Sequence, residues 1–412
     1  MFADRTNWNL EMNRLAAVLA EHRAAGKRVI DLTASNPTLC GFEYDHEAIL
    51  QALANAEALV YEPNPKGLEA ARRAVADYYA ERGEAGGSAM PAGRVSIDDI
   101  ILTTSTSEAY SFVFRTVCNP GDEILIPQPS YPLFDFLAEI NDVKLVRYPL
   151  VYDHGWLIDF HSFEKGITSR TRGVIVVHPN NPTGHFCKPQ EMEKLNEICA
   201  AREMAVIADE VFLDFVTEEF ADGREMRGNA GERSRSKKLP ASFATNSKVL
   251  TFTMSGLSKI CGLPQMKAAW LVTSGPESLK SQALSRLEVI ADTYLSMNAP
   301  VQLAIPAFLA QRQKFQEQLM LRVCRNLAGL DRQLARHDRC SRLKVEGGWY
   351  AVLRVPSKLP DGELAVNLLT KQNVYVHPGH FYDFTTEGSL VISLITPEQE
   401  FVQGVSCLLR AF

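Results

Sequence analysis

The sequence has no long apolar run. None of its 412 residues belong to a stretch of about 18 consecutive apolar residues, roughly the length that a helix needs to cross a bilayer. The N-terminus also lacks a basic region followed by an apolar run, so it does not resemble a signal peptide. These two absences predict a cytoplasmic protein without a membrane-spanning segment.

Two further classes of partner are disfavoured by composition. The formal net charge is −6, which argues against nucleic acid as the main partner. The eight cysteines are scattered, with no CxxC pair and no spacing typical of zinc ligands. We therefore expect reduced thiols, no metal site and a cytosolic environment.

The composition itself is that of an ordinary globular protein, with 46% hydrophobic and 22% charged residues. The chain is longer than one typical hydrophobic core requires, so two domains are expected. We expect a large domain over residues 48–297 and a smaller α/β domain over residues 298–412. The N-terminal segment 1–47 is expected to join the smaller domain.

Short apolar runs alternate with helical periodicity between about residues 50 and 275. This alternation predicts an α/β fold with a largely parallel sheet, and ligands of such sheets bind at the carboxyl ends of the strands. The expected strands are Ile100–Thr104, Glu123–Pro127, Lys144–Pro149, Gly173–His178, Ala205–Asp209, Val249–Met254 and Ala269–Thr273.

Periodicity also predicts several longer elements. Tyr61–Arg82 is expected to form one helix, Phe308–His337 another, and Leu343–Val355 a strand. The Gly- and Ala-rich segment Gly83–Gly93 is expected to be a linker. The polar segment Glu218–Ser247 is expected to be a solvated insertion, with a lid or a substrate-selecting loop as the alternative.

Small hydroxyl residues and a constrained tyrosine follow two of the expected strands. Ser105, Thr106 and Ser107 open a helix, where backbone N–H groups and the helix dipole favour an anion. Taken alone, an ordinary Ser/Thr helix cap is the favoured explanation of these residues. Tyr131 lies between two prolines, so its ring is held rigidly and can stack on a flat ligand. Taken alone, this motif is more often a packed turn.

Polar residues also follow the next expected strands. Asn181 precedes Pro182, and Asp209 ends its strand, where a buried carboxylate is costly unless a cation faces it. Lys259 comes just after an apolar strand, between Ser255 and Ser258 on one side and Lys267 on the other. A lysine in that position suits a nucleophile that forms a Schiff base. Helix capping by Asp209 and a solvated Lys259 are the simpler alternatives.

Taken in order, these motifs resemble the class I/II aminotransferases, which are fold-type I pyridoxal-phosphate enzymes. The resemblance extends from about residue 30 to residue 400, and it implies a three-layer α/β/α large domain with a mostly parallel sheet. Six matches in one order are far more specific than any single one. They are Tyr61 with Gly67, Ser105–Ala109, Pro129–Pro132, Asn181–Gly184, Asp209–Phe212 and Ser255–Lys267.

The resemblance implies a role for each matching residue. Lys259 would hold pyridoxal 5′-phosphate as a Schiff base and move protons, and Asp209 would keep the ring nitrogen protonated. Tyr131 would stack on the ring as a third catalytic residue, and Asn181 would bond the phenolic oxygen. The other cofactor contacts implied are Ser105, Thr106, Ser107, Phe212, Ser255, Ser258 and Lys267, together with Tyr61. Because Tyr61 resembles a tyrosine that reaches the neighbouring subunit's phosphate, the resemblance implies a homodimer with shared sites.

Three residues depart from the family pattern. Phe212 stands where the family usually has a tyrosine that donates to the phenolic oxygen. Lys267 stands where arginine is commoner, so a bidentate grip on phosphate is lost. The family also places a carboxylate-binding arginine just before a strand of the form Ile-Ser-Leu, here Ile392–Leu394, yet no arginine occurs between residues 355 and 409.

The expected function is transamination between an amino acid, or a related amine, and a 2-oxo acid, in a ping-pong reaction through a pyridoxamine form. Another pyridoxal-phosphate reaction on the same fold (β-elimination, cyclisation or decarboxylation) is the first alternative, because fold does not fix reaction. A non-enzymatic relative that only binds the cofactor is the second. The identities of the amino donor and the acceptor do not follow from the sequence.

Overall fold

The structure is a computed structural model that describes residues 1–85, 94–217, 239–356 and 358–412. The expected linker Gly83–Gly93 lies outside the described residues from position 86 onward. The polar segment Glu218–Ser247 lies outside them up to position 238. Within the described ranges, no helix combines the length and the apolar character that crossing a bilayer requires.

The described chain alternates strands and helices along most of its length. The strands are β1 (Ile30–Asp31), β2 (Ile100–Thr103), β3 (Glu123–Gln128), β4 (Lys144–Tyr152), β5 (Trp156–Ile158), β6 (Thr171–Val177), β7 (Ala205–Asp209), β8 (Thr251–Gly256), β9 (Ala269–Ser274), β10 (Ser341–Arg342), β11 (Tyr350–Arg354), β12 (Val374–Tyr375), β13 (His377–Pro378) and β14 (Ser389–Ser393). The α-helices are α1 (Arg14–Ala24), α2 (His46–Leu53), α3 (Glu69–Ala85), α4 (Thr106–Val117), α5 (Phe134–Glu139), α6 (Phe160–Lys165), α7 (Pro189–Ala201), α8 (Leu257–Ile260), α9 (Glu277–Tyr294), α10 (Ala299–Ala310), α11 (Arg312–Leu334), α12 (Asp361–Gln372) and α13 (Glu398–Leu409).

An eight-stranded sheet with the order β2-β9-β8-β7-β6-β3-β4-β5 forms the larger part of the structure. The five adjacent strands from β8 to β4 run parallel, whereas β9 and β5 pair antiparallel with their neighbours. All seven predicted strands are present with small shifts at their ends, and β7 coincides with its prediction at both ends. The α/β class with a mostly parallel sheet is therefore confirmed.

Helices cover both faces of this sheet, because the side chains of each central strand alternate between two cores. In β3, Ile124 and Ile126 pack with α4 and α9 on one face. Leu125 of the same strand packs with α6 and α7 on the other face. Continuous burial on both faces explains why these strands are short, uninterrupted apolar runs in the sequence.

A smaller four-stranded sheet with the order β10-β11-β14-β13 packs with helices from both chain ends. Leu15 and Leu19 of α1 share a core with Leu368 of α12 and with Leu408 of α13. The N-terminal strand β1 also pairs in parallel with β12. The N-terminal segment therefore packs against the C-terminal part of the chain, while the exact division into domains stays a prediction.

The helix expected over Tyr61–Arg82 is wrong in its first turns. Helix α3 begins only at Glu69, and the preceding segment has no helical turn between Tyr61 and Leu68. Pro63 and Pro65 lie in this segment, and proline restricts the residue before it to extended backbone. The apolar face of the remaining helix is buried as expected.

The helix expected over Phe308–His337 is divided into α10 and α11 at Gln311. The two helices bury their apolar faces in different cores. Phe308 of α10 packs under the large sheet, whereas Phe315 and Leu319 of α11 pack with the small sheet. One straight helix could not bury both faces, so tertiary packing overrides the continuous periodicity.

The strand expected over Leu343–Val355 is shorter than predicted, because β11 begins at Tyr350. The preceding loop is held by backbone hydrogen bonds from Thr217 to Glu346 and from Gly348 to Phe215. At Gly347, an added Cβ would lie 2.4 Å from the ring of Phe186. This close approach requires glycine and prevents the loop from continuing as a regular strand.

Gly67 closes the turn before α3 in a left-handed conformation, with φ of +88°. An added Cβ would lie 2.6 Å from Leu102 Cδ1. We therefore expect Gly67→Ala to reduce the free energy of unfolding by about 1–3 kcal/mol. Gly83→Ala, at an exposed position of α3, is the matched control: its Cβ meets nothing within 4 Å, and a gain of up to about 1 kcal/mol is expected. Chemical denaturation of both variants checks this, and equal midpoints would contradict the proposed strain.

Candidate active site

The candidate residues gather along one edge of the large sheet. Asp209 is the last residue of β7, and Lys259 lies in α8 directly after β8. Asn181 follows β6 and Tyr131 follows β3. These four strands run parallel, so their carboxyl ends meet at the same edge. The sheet therefore brings together residues that are far apart in the sequence.

Asp209 is a buried carboxylate, with 8% of its surface exposed. Its Oδ2 accepts a hydrogen bond of 3.0 Å from the Tyr110 hydroxyl, and its Oδ1 accepts one of 3.2 Å from the Val211 backbone N–H. Burial raises the pKa of Asp209 to about 6, although both hydrogen bonds and the Lys259 charge oppose that effect. A cation placed at this carboxylate would lower its pKa again and hold it ionised.

Lys259 lies in a short helix whose entry requires glycine. At Gly256, an added Cβ would lie 2.8 Å from the Ala268 carbonyl oxygen, so only a residue without a side chain allows the two strands this close. The Lys259 Nζ lies 5.0 Å from the centre of the Trp349 ring and 5.7 Å from that of Phe212. The amine is thus enclosed by aromatic rings from two parts of the chain.

The surroundings of Lys259 favour its neutral amine. Burial lowers its pKa to about 8, and the Asp209 charge opposes that effect. At pH 7 about a tenth of the side chains would therefore be unprotonated, far more than for a solvated lysine. Such an amine can attack a carbonyl carbon and can then accept and return protons. A solvated Lys259 and a purely capping Asp209, the simpler alternatives from sequence, do not describe this arrangement.

Asn181 and Tyr131 differ in solvent exposure: Asn181 is buried and Tyr131 is exposed. Asn181 is 8% exposed and its Oδ1 has no hydrogen-bond partner in the described structure, so the amide remains available to a ligand. Tyr131 is 40% exposed and meets the Phe134 ring edge-on at 6.2 Å. Burial, the Tyr350 hydroxyl and the Asp209 carboxylate raise the pKa of Tyr131 to about 12. Its hydroxyl therefore stays protonated at neutral pH.

The hydroxyl residues before α4 are used in two ways. Ser105 caps the helix, because its Oγ accepts a hydrogen bond of 3.2 Å from the Glu108 backbone N–H. Thr106 and Ser107 form the first turn of this 12-residue helix and are half-buried. Strand β2 runs antiparallel to β9, which runs antiparallel to β8, so this helix begins at the same edge as Lys259.

Some of the predicted site residues bond within the protein or lie on its surface. The Ser255 hydroxyl donates to the Glu210 carbonyl oxygen at 3.3 Å and is buried, so its contact is with the protein. Ser258 is half-buried, and Lys267 is exposed. Tyr61 is 79% exposed on the surface, and no described contact connects it to Lys259 of its own chain.

Two residues at the site were not predicted from sequence. Tyr110 contacts Asp209 across α4, four positions after Thr106, and this helical spacing is the only local signal for it. Trp349 follows a pair of glycines and reaches Lys259 from the small sheet. Nothing in the sequence near Lys259 indicates that a distant tryptophan covers its amine.

A buried network supports the end of β7. Glu210 accepts hydrogen bonds of 2.6 Å from both the Ser242 hydroxyl and the Phe243 backbone N–H. Arg82 of α3 lies 3.1 Å from the Asp214 carboxylate and also donates to the Pro240 carbonyl oxygen at 2.8 Å. These contacts attach α3 and the chain after residue 238 to the strand that carries Asp209.

Comparisons with known proteins relate this chain to aminotransferases. Residues 27–401 match the family model described as aminotransferase class I and II. The glutamate-pyruvate aminotransferase AlaA of Escherichia coli K12 is 28% identical over 292 residues, which are 71% of this chain and 66% of that protein. The match thus spans just under two thirds of that relative. An alanine aminotransferase of Mycobacterium bovis is 28% identical over 371 residues, covering 87% of this chain and 80% of that protein.

Solved structures show the same fold. The alanine aminotransferase of Pyrococcus furiosus superposes with a TM-score of 0.84 at 22% identity, covering 100% of this chain and 99% of that one. A mutant of the Thermus thermophilus aspartate aminotransferase gives a TM-score of 0.80 at 19% identity and covers 100% of both chains. The fold is therefore that of fold-type I aminotransferases, and the family match extends over most of the sequence. The chain belongs to the aminotransferase class I and II family.

Proposed function

We propose that this protein is an aminotransferase that moves an amino group from an amino acid to a 2-oxo acid. The family is pyridoxal-phosphate-dependent. The observation that carries the proposal is the pair of groups at the sheet edge: the half-buried Lys259 amine, with its pKa lowered to about 8, and the buried Asp209 carboxylate, whose charge acts on it. The Escherichia coli and Mycobacterium bovis relatives are named for glutamate, pyruvate and alanine, so these compounds are the first substrates to test.

The described residues fit the cofactor. Asp209 is a buried carboxylate whose hydrogen-bond partners are neutral, and a protonated ring nitrogen would supply the missing cation. The Asn181 amide has an unpaired buried oxygen and can turn toward a polar ring substituent. The first turn of α4, with Thr106 and Ser107, offers backbone N–H groups to a phosphate. We assign these residues to the ring nitrogen, the ring oxygen and the phosphate in turn.

The protein's own residues would divide the work of the reaction. When bound, the cofactor supplies an electron-withdrawing ring that stabilises negative charge on the substrate carbon. Lys259 would link to the cofactor and carry protons, because an amine with a pKa of about 8 can both accept and release a proton near neutral pH. Asp209, fixed by the Tyr110 hydroxyl, keeps the ring nitrogen protonated. Trp349 and Phe212 pack around the amine and exclude water from it.

The remaining cofactor contacts are assigned by position. Tyr131 would pack against the ring, because it follows β3 at the edge where Asp209 lies. Ser258 and Lys267 follow β8 and are assigned to the phosphate. Phe212 supplies no hydroxyl beside the ring oxygen, which leaves Asn181 as the assigned donor there. The Ser105 and Ser255 hydroxyls are used within the protein, so only their backbone would take part.

We also propose a homodimer with shared sites, located in the cytoplasm. Leu59, Val60 and Tyr61 form an apolar surface segment with exposed fractions of 91%, 66% and 79%. An apolar patch of this kind is typical of a contact with another chain. Tyr61 would complete the phosphate site of the neighbouring subunit. The other seven cysteines besides Cys324 form no disulfide in the described structure, which agrees with a reducing compartment.

The function is tested by adding amino donors to the cofactor-loaded enzyme. We expect L-alanine or L-glutamate to change the visible spectrum and to yield the corresponding 2-oxo acid. Lys259→Ala should still bind the cofactor without a covalent link and should lose at least about 10⁴-fold in turnover, because the nucleophile and the proton carrier are removed together. An unsaturated product without amino transfer would indicate elimination instead. Near-normal turnover of Lys259→Ala would contradict the assignment of the lysine.

Asp209 raises the pKa of Lys259, so the two groups can be tested together. In the cofactor-free protein, Asp209→Asn should lower the Lys259 pKa below about 8, because the opposing negative charge is lost. In the loaded enzyme the same substitution should reduce turnover at least about 100-fold, whereas loss of a helix cap alone would cost only about 1 kcal/mol of stability. Chemical modification of the lysine against pH and steady-state kinetics check the two effects. A variant with normal turnover and a lower melting temperature would leave Asp209 with the capping role only.

The homodimer is tested by placing a charge in the apolar segment. Val60→Glu should dissociate the dimer and reduce cofactor affinity, because the neighbouring Tyr61 would no longer reach its phosphate site. Val402→Glu is the control, since Val402 is 47% exposed on α13, away from this segment. Sedimentation velocity and cofactor titration measure both variants. A wild-type protein that is active as a monomer would contradict the shared site.

A further inference from the structure

One face of the small sheet carries a histidine that the sequence analysis did not single out. In the antiparallel pairing, His377 of β13 lies opposite Val391 of β14, and Val391 lies opposite Val352 of β11. Paired residues project to the same face of a sheet, and so do alternate residues of one strand. His377, Val391, Val352 and Tyr350 therefore share one face, next to the residue Trp349 that covers Lys259.

The His377 ring is fixed on one side and free on the other. Its Nδ1 lies 3.0 Å from the Tyr382 hydroxyl. The rings of Phe381 and Tyr375 lie at 5.7 Å and 5.8 Å and enclose it. In the described part of the chain, Nε2 has no hydrogen-bond partner, and the side chain is half-buried. A polar atom is thus left available within an aromatic environment.

A continuous wall of aromatic residues connects His377 with the catalytic edge. The Ser130 backbone N–H donates to the Tyr382 carbonyl oxygen at 2.9 Å, which ties this segment to the loop that carries Tyr131. Burial is the main cause that raises the pKa of Tyr382, and the nearby Tyr350 and Tyr131 hydroxyls raise it further. The Tyr350 ring also lies 6.3 Å from that of Phe212, which packs beside Lys259.

An arginine acts on one of the rings that enclose His377: the Arg23 charge opposes the effect of burial on the pKa of Tyr375. No arginine contributes to the pKa shifts of Asp209, Tyr131, Tyr350 or Tyr382 within the described residues. Position 391, just before Ile392–Leu394, is valine, and its neighbour across the strand pair is His377. A substrate carboxylate that enters here would meet hydroxyls and an imidazole instead of a guanidinium.

We propose that His377 binds the carboxylate of the substrate through Nε2 and so determines specificity, while the Tyr382 hydroxyl orients its ring. This inference rests on the proposed transamination and names a residue that selects its substrates. An imidazole offers one directed N–H instead of the planar fork of arginine, so the grip on the carboxylate is weaker and depends on pH.

The charge on His377 follows from its neighbours. Burial lowers the pKa of His377, and the Asp31 carboxylate on β1 opposes that effect. Tyr375 and Tyr382, the other titratable groups that face it, remain protonated because burial raises the pKa of each. The free protein therefore holds a mostly neutral imidazole near pH 7. A bound carboxylate favours the protonated form, so binding should take up a proton.

The first test compares amino acids with the amines that lack their carboxylate, namely L-alanine with ethylamine and L-phenylalanine with 2-phenylethylamine. In His377→Phe, which keeps a ring but removes the donor, kcat/KM for the amino acids should fall about 10- to 100-fold, mainly through KM, whereas kcat/KM for the amines should stay within about threefold. His380→Phe is the matched control, because His380 lies three positions after His377, in the short helix Gly379–Tyr382, and is exposed. This control should leave kcat/KM unchanged for the amino acids and for the amines.

The second test measures proton uptake when propionate binds to the cofactor-loaded enzyme, by calorimetry in two buffers that differ in ionisation enthalpy. Wild type and His380→Phe should take up a fraction of a proton. His377→Gln, which keeps one donor and cannot titrate, should bind propionate without uptake and should retain part of the preference for amino acids. This variant also serves if His377→Phe does not fold.

The outcomes separate this inference from the proposed function. If wild type transaminates but His377→Phe or His377→Gln keeps the full preference for amino acids and normal proton uptake, His377 does not bind the carboxylate and only the inference fails. If wild type transfers no amino group from any donor, the proposed function fails, and the inference fails with it. Equal loss for amino acids and amines would also overturn the inference, because it would indicate a structural role.

Discussion

The chemistry of this protein depends on a carboxylate and an amine that are both taken out of water at one sheet edge. Hydrogen bonds from Val211 and Tyr110, and then the Lys259 charge, oppose the effect of burial on Asp209, whose pKa rises to about 6. The Asp209 charge opposes the effect of burial on Lys259, whose pKa falls to about 8. Two neighbouring parallel strands, β7 and β8, lead to them, and Gly256 allows the end of β8 to approach β9 closely. A site of this kind needs a rigid frame, since small shifts would change both pKa values.

The frame extends below and above the pair. Below it, Glu210 and Arg82 join β7 to α3 and to the chain after residue 238 by buried hydrogen bonds. Burial raises the pKa of Glu210 to about 7, although its hydrogen bonds to Ser242 and Phe243 oppose the change, so the support itself titrates near neutrality. Above it, Trp349 reaches the amine from the small sheet. The active site is therefore assembled by contacts between elements that are far apart in the sequence.

The sequence predicted what local pattern determines. Each apolar run between residues 100 and 274 became a strand, and the polar residues at the strand ends, Asp209 and Lys259 among them, came together because parallel strands share an edge. The prediction failed where long-range packing decides: Gln311 divides a continuous helical pattern because its two halves bury different faces. Tyr110, Trp349 and His377 were missed for the same reason, since their significance lies in contacts that cross strands, helices or sheets.

The pairing of β1 with β12 has a consequence for the order in which the protein is made. Ile30 lies beside Val374, so the strand β1 cannot form this pairing until Val374 has left the ribosome. The large sheet is complete much earlier, because its last strand ends at Ser274. Long loops close slowly, so the small sheet and its Trp349 arrive last. A newly synthesised chain therefore has a finished edge with Asp209 and Lys259 before it has the cover that keeps water from the amine.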